Sequence, residues 1–130
     1  MQNLLPGSFP ADVVDFPSPF QFSGALPRGS WRMMANGRIY ELDITDVQGT
    51  QVTATISSGQ IQDAVWDSSA NASTLAKLSF TRVLANVGLK QRFDAFLLHY
   101  SAKDPLWRLV GTYGVLGEEA KAGWYATLPR

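Results

Sequence analysis

The chain has 130 residues, a length that suits one domain with one core, and 45% of it is apolar. Eleven basic residues balance eleven acidic ones with no block of like charge, which excludes the electrostatic footprint of a nucleic-acid binder. With no cysteine and a single histidine, disulfides, thiolate chemistry and multi-histidine metal sites are excluded, and no cofactor is implied.

Residues 1–28 carry five of the seven prolines, Pro6, Pro10, Pro17, Pro19 and Pro27, which fix φ and remove backbone donors. Helix and central strand are therefore not expected there. The same stretch holds Phe9, Val13, Val14, Phe16, Phe20 and Phe22, too much apolar surface for a solvated tail. It reads as an extended arm lying on the domain or on a partner subunit. No Lys or Arg precedes Arg28 and no continuous apolar run is present, so neither a secretory signal nor a membrane span is expected. The cytoplasm is the expected compartment.

From Gly29 to Arg130 the pattern changes to short runs of period two, punctuated by Gly, Asn, Asp and Ser. The runs are 30–35, 38–46, 50–57, 60–66, 76–84, 91–100, 106–113 and 123–128, which makes eight strands. Asn36-Gly37 is the strongest hairpin signal, because both residues tolerate the positive φ of a type I′ turn. Ser58-Gly59 and 46–49 are weaker turns of the same kind. Residues 73–87 could be tested as a helix, but Ala76, Leu78, Phe80, Arg82 and Leu84 alternate against Lys77, Ser79, Thr81 and Val83, which suits a strand. Consecutive antiparallel strands with short links leave two edges exposed unless the twisting sheet closes. The expected fold is all-β, an eight-stranded antiparallel up-and-down barrel with an extended N-terminal arm; a two-sheet β-sandwich is the alternative.

The first strand opens on Gly29-Ser30-Trp31, and later strands carry Trp107-Arg108-Leu109 and Gly123-Trp124-Tyr125. In position and strand count this resembles the calycins, the group of lipocalins, avidins and fatty-acid-binding proteins. The resemblance implies a barrel plugged at one end by Trp31, with Arg130 as the counterpart of the basic residue that packs on that tryptophan. Met33 stands where an avidin has its biotin-contacting asparagine, so biotin is not the expected ligand. The absence of disulfides sets the chain apart from many secreted lipocalins.

Alternation assigns Trp31, Met33, Tyr40, Leu42, Ile44, Val52, Ala54, Ile56, Ile61, Val65, Leu78, Phe80, Phe93, Ala95 and Leu97 to the interior. On the same phase fall Asp63, Arg82 and His99, polar groups among apolar ones. They form either a polar cluster of a ligand pocket or satisfied ion pairs and strand ends. His99 on an apolar strand fits a hydrogen-bonded core or rim histidine as well as a catalyst; no Ser-His-Asp order or paired-carboxylate spacing accompanies it. Tyr40, Trp107, Tyr113 and Trp124 are the aromatics expected at a barrel opening, since each combines a ring with a polar group. The candidate ligand-binding set is thus Tyr40, Asp63, Arg82, His99, Trp107, Tyr113 and Trp124, with no metal ligands.

Phe96, Leu98 and Tyr100, with Trp107 and Leu109, give strands that look apolar on both faces. Something must cover that wall: a second copy, giving a homodimer or higher symmetric oligomer, or the arm through Phe9, Phe16, Phe20 and Phe22. Three functions remain open. The first is a barrel binding a small, largely apolar molecule in its interior. The second is a cofactor-independent cyclase or isomerase polarising a flexible apolar substrate through Tyr40, Asp63, Arg82 and His99. The third is a structural or assembly domain.

Overall fold

A computed structural model describes residues 25–68, 76–98 and 103–130. Eight antiparallel strands follow one another in chain order and close on themselves: β1 (Gly29–Ala35), β2 (Arg38–Gln48), β3 (Gln51–Ile56), β4 (Gln60–Asp67), β5 (Lys77–Leu84), β6 (Leu89–Leu98), β7 (Leu106–Val115) and β8 (Ala122–Pro129). Closure is made by β1 and β8, where Arg32 pairs with Thr127 and Ala35 with Trp124. This is the up-and-down barrel that the alternation implies, and the sandwich is set aside. No helix among the described residues is long and apolar enough to cross a membrane.

The turns follow from local chemistry. Asn36 and Gly37 adopt φ of 53° and 70°, as a type I′ hairpin requires. A single 3₁₀ turn, Ala85–Val87, links β5 to β6 and ends on Gly88 in the left-handed region.

Inward side chains form one cluster, in which Trp31, Met33, Leu42, Ile44, Leu78, Phe80, Phe93, Ala95, Leu97 and Leu109 are essentially inaccessible to solvent. Every residue assigned inward by alternation except Val65, among those strands, packs in or against this core. Val65 and Asp63 are exposed because the β4 register shifts between Gln62 and Val65, with Asp63 at φ 54°. One inserted residue reverses the faces beyond it, so Trp66 rather than Val65 points inward. A second expectation is also corrected: Leu109 is buried and Trp107 packs against the core, so neither belongs to the outer wall. Their register with Leu97 and Leu128 places them inside.

The two ends of the barrel differ. At the end where β1 begins, Leu26 is buried in the core and the Trp31 indole donates to the Pro27 carbonyl at 3.1 Å. Arg28 pairs with Asp46 at 3.1 Å on the same rim. Residues 25–28 thus seal this end; the remainder of the proline-rich arm, with Phe9, Phe16, Phe20 and Phe22, lies outside the described residues. The Arg130 guanidinium lies 5.1 Å from the ring centre of Trp107, so Trp107 and not the plug residue Trp31 carries that cation–π contact. The opposite end is bounded by the β1–β2, β3–β4, β5–β6 and β7–β8 connections.

Candidate functional site

At the hairpin end a cavity of about 300 Å³ opens among β1, β2, β5, β6 and β7, lined by Arg38, Tyr40, Ser58, Arg82, Gln91, Phe93 and Tyr113 together with Ala35, Asn36 and Leu84. Its polar centre is Arg82, which sits on the inward phase of β5 and is only 7% exposed. The guanidinium donates through Nε to the Ser58 carbonyl at 2.8 Å, through one terminal nitrogen to Gln91 Oε1 at 2.8 Å, and through the other to Ser58 Oγ at 3.0 Å. The Tyr40 ring lies beneath it, 4.9 Å from centroid to Cζ. Gly59 makes this possible: at φ +98°, a Cβ there would stand 2.9 Å from the Val83 carbonyl oxygen and 3.3 Å from Arg82 Nε.

The floor is aromatic. Phe93 stacks on Phe80 (4.9 Å, 5°) and on Tyr113 (4.9 Å, 8°), giving three parallel rings across β5, β6 and β7. Trp124 braces them edge-on, at 5.9 Å from Phe80 and 5.4 Å from Phe93. Its indole N–H is shared between the Asp94 and Thr112 carbonyls at 3.2 and 3.1 Å.

The seven residues singled out in the sequence therefore separate. Tyr40, Arg82 and Tyr113 meet in the cavity. Trp124 is a buried support with its polar group engaged by backbone, so it is not a residue of the opening. Trp107 stands at the other end, under Arg130. Asp63 is exposed on the bulged strand and takes no part in an internal polar cluster. His99 lies outside the described residues. Sequence reasoning missed Ser58 and Gln91: Gln91 shares the inward phase of Phe93, which is a usable signal, whereas Ser58 is a turn residue with none.

A second, shallower depression of about 550 Å³ lies on the outer face around Ser30, Arg32, Ile39, Glu41 and Ser57. Ser30, Glu41 and Ser57 engage one another there, with Ser30 Oγ donating to Glu41 Oε2 at 2.6 Å and Ser57 Oγ accepting the Glu41 N–H at 3.0 Å. The hairpin-end cavity is the better candidate because its central cation is buried with no carboxylate partner among the described residues. Among the described residues no group of three or more His, Cys, Asp or Glu comes together.

No known family, characterised protein or solved structure matches this chain.

Proposed function

We propose that the protein is a calycin-like barrel that binds a small molecule at its hairpin end, with the ligand lying on the Phe93–Tyr113 rings and its polar group near Arg82 and Tyr40. The observation that carries this reading is a cavity floored by the stacked rings of Phe93 and Tyr113, which Phe80 supports from behind, and walled by a buried cation, the mixture of apolar surface and few placed polar groups typical of ligand sites. Core side chains occupy the middle of the barrel, which favours the opening over the centre as the place for a ligand. Binding is favoured over turnover because no carboxylate, thiol or imidazole lines the cavity among the described residues. The test is NMR titration with small aromatic molecules. Expected shifts concentrate on Tyr40, Arg82, Phe93 and Tyr113; shifts confined to the Trp107 end would overturn the assignment.

A second role, self-association, is favoured by the outer surface. Phe96 pairs with Val110, Val110 with Tyr125, Tyr125 with Met34, and Met34 with Ile39. These outward residues form one cross-strand row over five strands, and Phe96, Val110, Tyr125 and Ile39 are each at least 40% exposed. The flanking row offers Arg32 and Glu41, both signs of charge, to an identical partner. A second copy of the chain is the partner this surface suits. Sedimentation at micromolar concentration should show a dimer or larger symmetric oligomer that Phe96→Ser with Val110→Ser reduces to monomer; an unaltered protein that sediments as monomer refutes it.

A further inference from the structure

Arg82 carries a charge that the described protein does not neutralise. Its three hydrogen-bond partners, the Ser58 carbonyl, Ser58 Oγ and Gln91 Oε1, are all neutral. Ion pairs join Arg28 to Asp46, Arg92 to Asp94 and Arg108 to Asp104, and among the described residues no carboxylate pairs with Arg82. Burying a cation without a counter-charge is costly, and proteins normally place a carboxylate beside it. Here the face of Tyr40 at 4.9 Å is the compensation seen, and a ring quadrupole offsets part of the desolvation only.

The cavity extends this imbalance. Its lining includes a second arginine, Arg38, at the exposed rim, and contains no Asp or Glu among the described residues. A guanidinium has five N–H donors, of which three are engaged. One N–H on each terminal nitrogen is left, together with the Tyr40 and Tyr113 phenols as neighbouring donors. Paired N–H groups on a planar fork match the two oxygens of a carboxylate. The volume, about 300 Å³, is at the lower end for small-molecule sites, and the adjoining surface is the flat stack of Phe93 and Tyr113.

From these observations we infer that the natural ligand is a small monocarboxylate with a flat or short apolar body, its carboxylate acting as the counter-ion of Arg82. The inference rests on the hairpin-end cavity being the binding site, and adds the charge and size of the ligand to it. Two kinds of residue then divide the work. Arg82, held in place by Ser58 and Gln91, recognises the head group; the ring stack accepts the body. Arg38 raises the local potential at the entrance and speeds capture without contacting the buried carboxylate.

Phenylacetate and its uncharged counterpart phenylacetamide are the probes, titrated against the full chain by NMR and calorimetry. Phenylacetate should bind about tenfold or more tightly than the amide, with the shifts centred on Arg82, Tyr40 and Tyr113. Arg82→Gln should abolish the difference between the two probes, and Arg82→Lys should retain a weaker preference for the acid. Equal binding of acid and amide to the unaltered protein would overturn the carboxylate inference while leaving the cavity as the site. A preference for the acid that survives in Arg82→Gln overturns it too. If neither probe shifts any cavity resonance at millimolar concentration, both the inference and the site fall. Should Arg82→Gln not fold, the comparison of acid with amide on the unaltered chain still decides.

Discussion

Replacing Gly111 by alanine probes the packing that holds the cavity floor. Gly111 lies on the inward phase of β7, paired with Ala95 on one side and Trp124 on the other. A Cβ at this position would penetrate the Asp94 carbonyl oxygen and stand 2.6 Å from Ala95 Cα. Both neighbours are backbone, so no change of rotamer relieves the overlap; β6 and β7 must separate locally. The displaced Asp94 carbonyl is an acceptor of the Trp124 indole N–H, so that bond weakens with it. Overpacking of a filled core costs about 1–3 kcal/mol. A buried indole N–H with poorer partners costs about 1–3 kcal/mol more. The lower entropy of the unfolded alanine chain returns only about 0.4–1 kcal/mol. A net loss of about 3 kcal/mol is expected, a large share of the roughly 5–15 kcal/mol that holds a domain of this size together. Urea denaturation reads it as a midpoint lowered by about 1–3 M, for a slope of about 1–3 kcal/mol per M. Gly117→Ala is the control, since Gly117 has φ +89° but nothing within 4 Å of a Cβ, and so reports backbone strain alone. A Gly111→Ala protein no less stable than Gly117→Ala would refute the account of close strand approach.

The two buried tryptophans that differ in hydrogen bonding should respond differently to phenylalanine. Trp124→Phe removes a donor from two carbonyls and a brace from the ring stack, and should cost about 2–4 kcal/mol in thermal melts. Trp66 has an indole N–H without a hydrogen-bond partner among the described residues, so Trp66→Phe removes an unsatisfied donor along with volume and should cost about 1 kcal/mol less than Trp124→Phe; equal losses would contradict this. Asp63→Val, a β-branched residue forced to φ 54°, should lose about 1–2 kcal/mol while Asp63→Asn stays neutral, and neither should alter probe binding. Gly59→Ala should displace Arg82, seen as loss of exchange protection at the Arg82 Nε–H; an unchanged resonance would show that the turn does not cradle the guanidinium.

How much of this was legible in the sequence depends on where the deciding information lies. Strand number and order were legible because period two and turn chemistry are local, as the left-handed φ values at Asn36 and Gly37 illustrate. Arg82 was legible as an inward exception because the β5 register against β6 runs without a bulge from Lys77 to Leu84, so Arg82 keeps the phase of Leu78 and Phe80. Asp63 and Val65 were misplaced because nothing in Gln60–Asp67 marks the extra residue of a bulge, and a slip of one residue exchanges the faces. Trp107 and Leu109 were misplaced for another reason: Leu106, Trp107, Leu109 and Val110 are apolar on both phases, so only the cross-strand pairing with Leu97 and Leu128 decides. The meeting of Ser58, Gln91 and Tyr40 around one guanidinium joins β2, the β3–β4 turn, β5 and β6, and such a juxtaposition leaves no trace in local periodicity.

The asymmetry of the barrel bears on how the cavity would work. In an up-and-down barrel the connections alternate between ends, and here three short ones, Asn36-Gly37, residues 57–59 and the 3₁₀ turn 85–87, fall on the side of Arg82, while the opposite end has the two-residue turn 49–50 and the longer β4–β5 and β6–β7 connections. The opposite end receives the chain from residues 25–28 and is filled by Trp31 and Trp107. Tight turns leave few conformations to a rim, and the guanidinium is fixed by three hydrogen bonds before any ligand arrives. Binding at such a site loses little entropy on the protein side, so affinity depends on head-group contacts rather than on closure of a loop. An anionic ligand would therefore enter and leave by the hairpin end, past Arg38, without the sealed end opening.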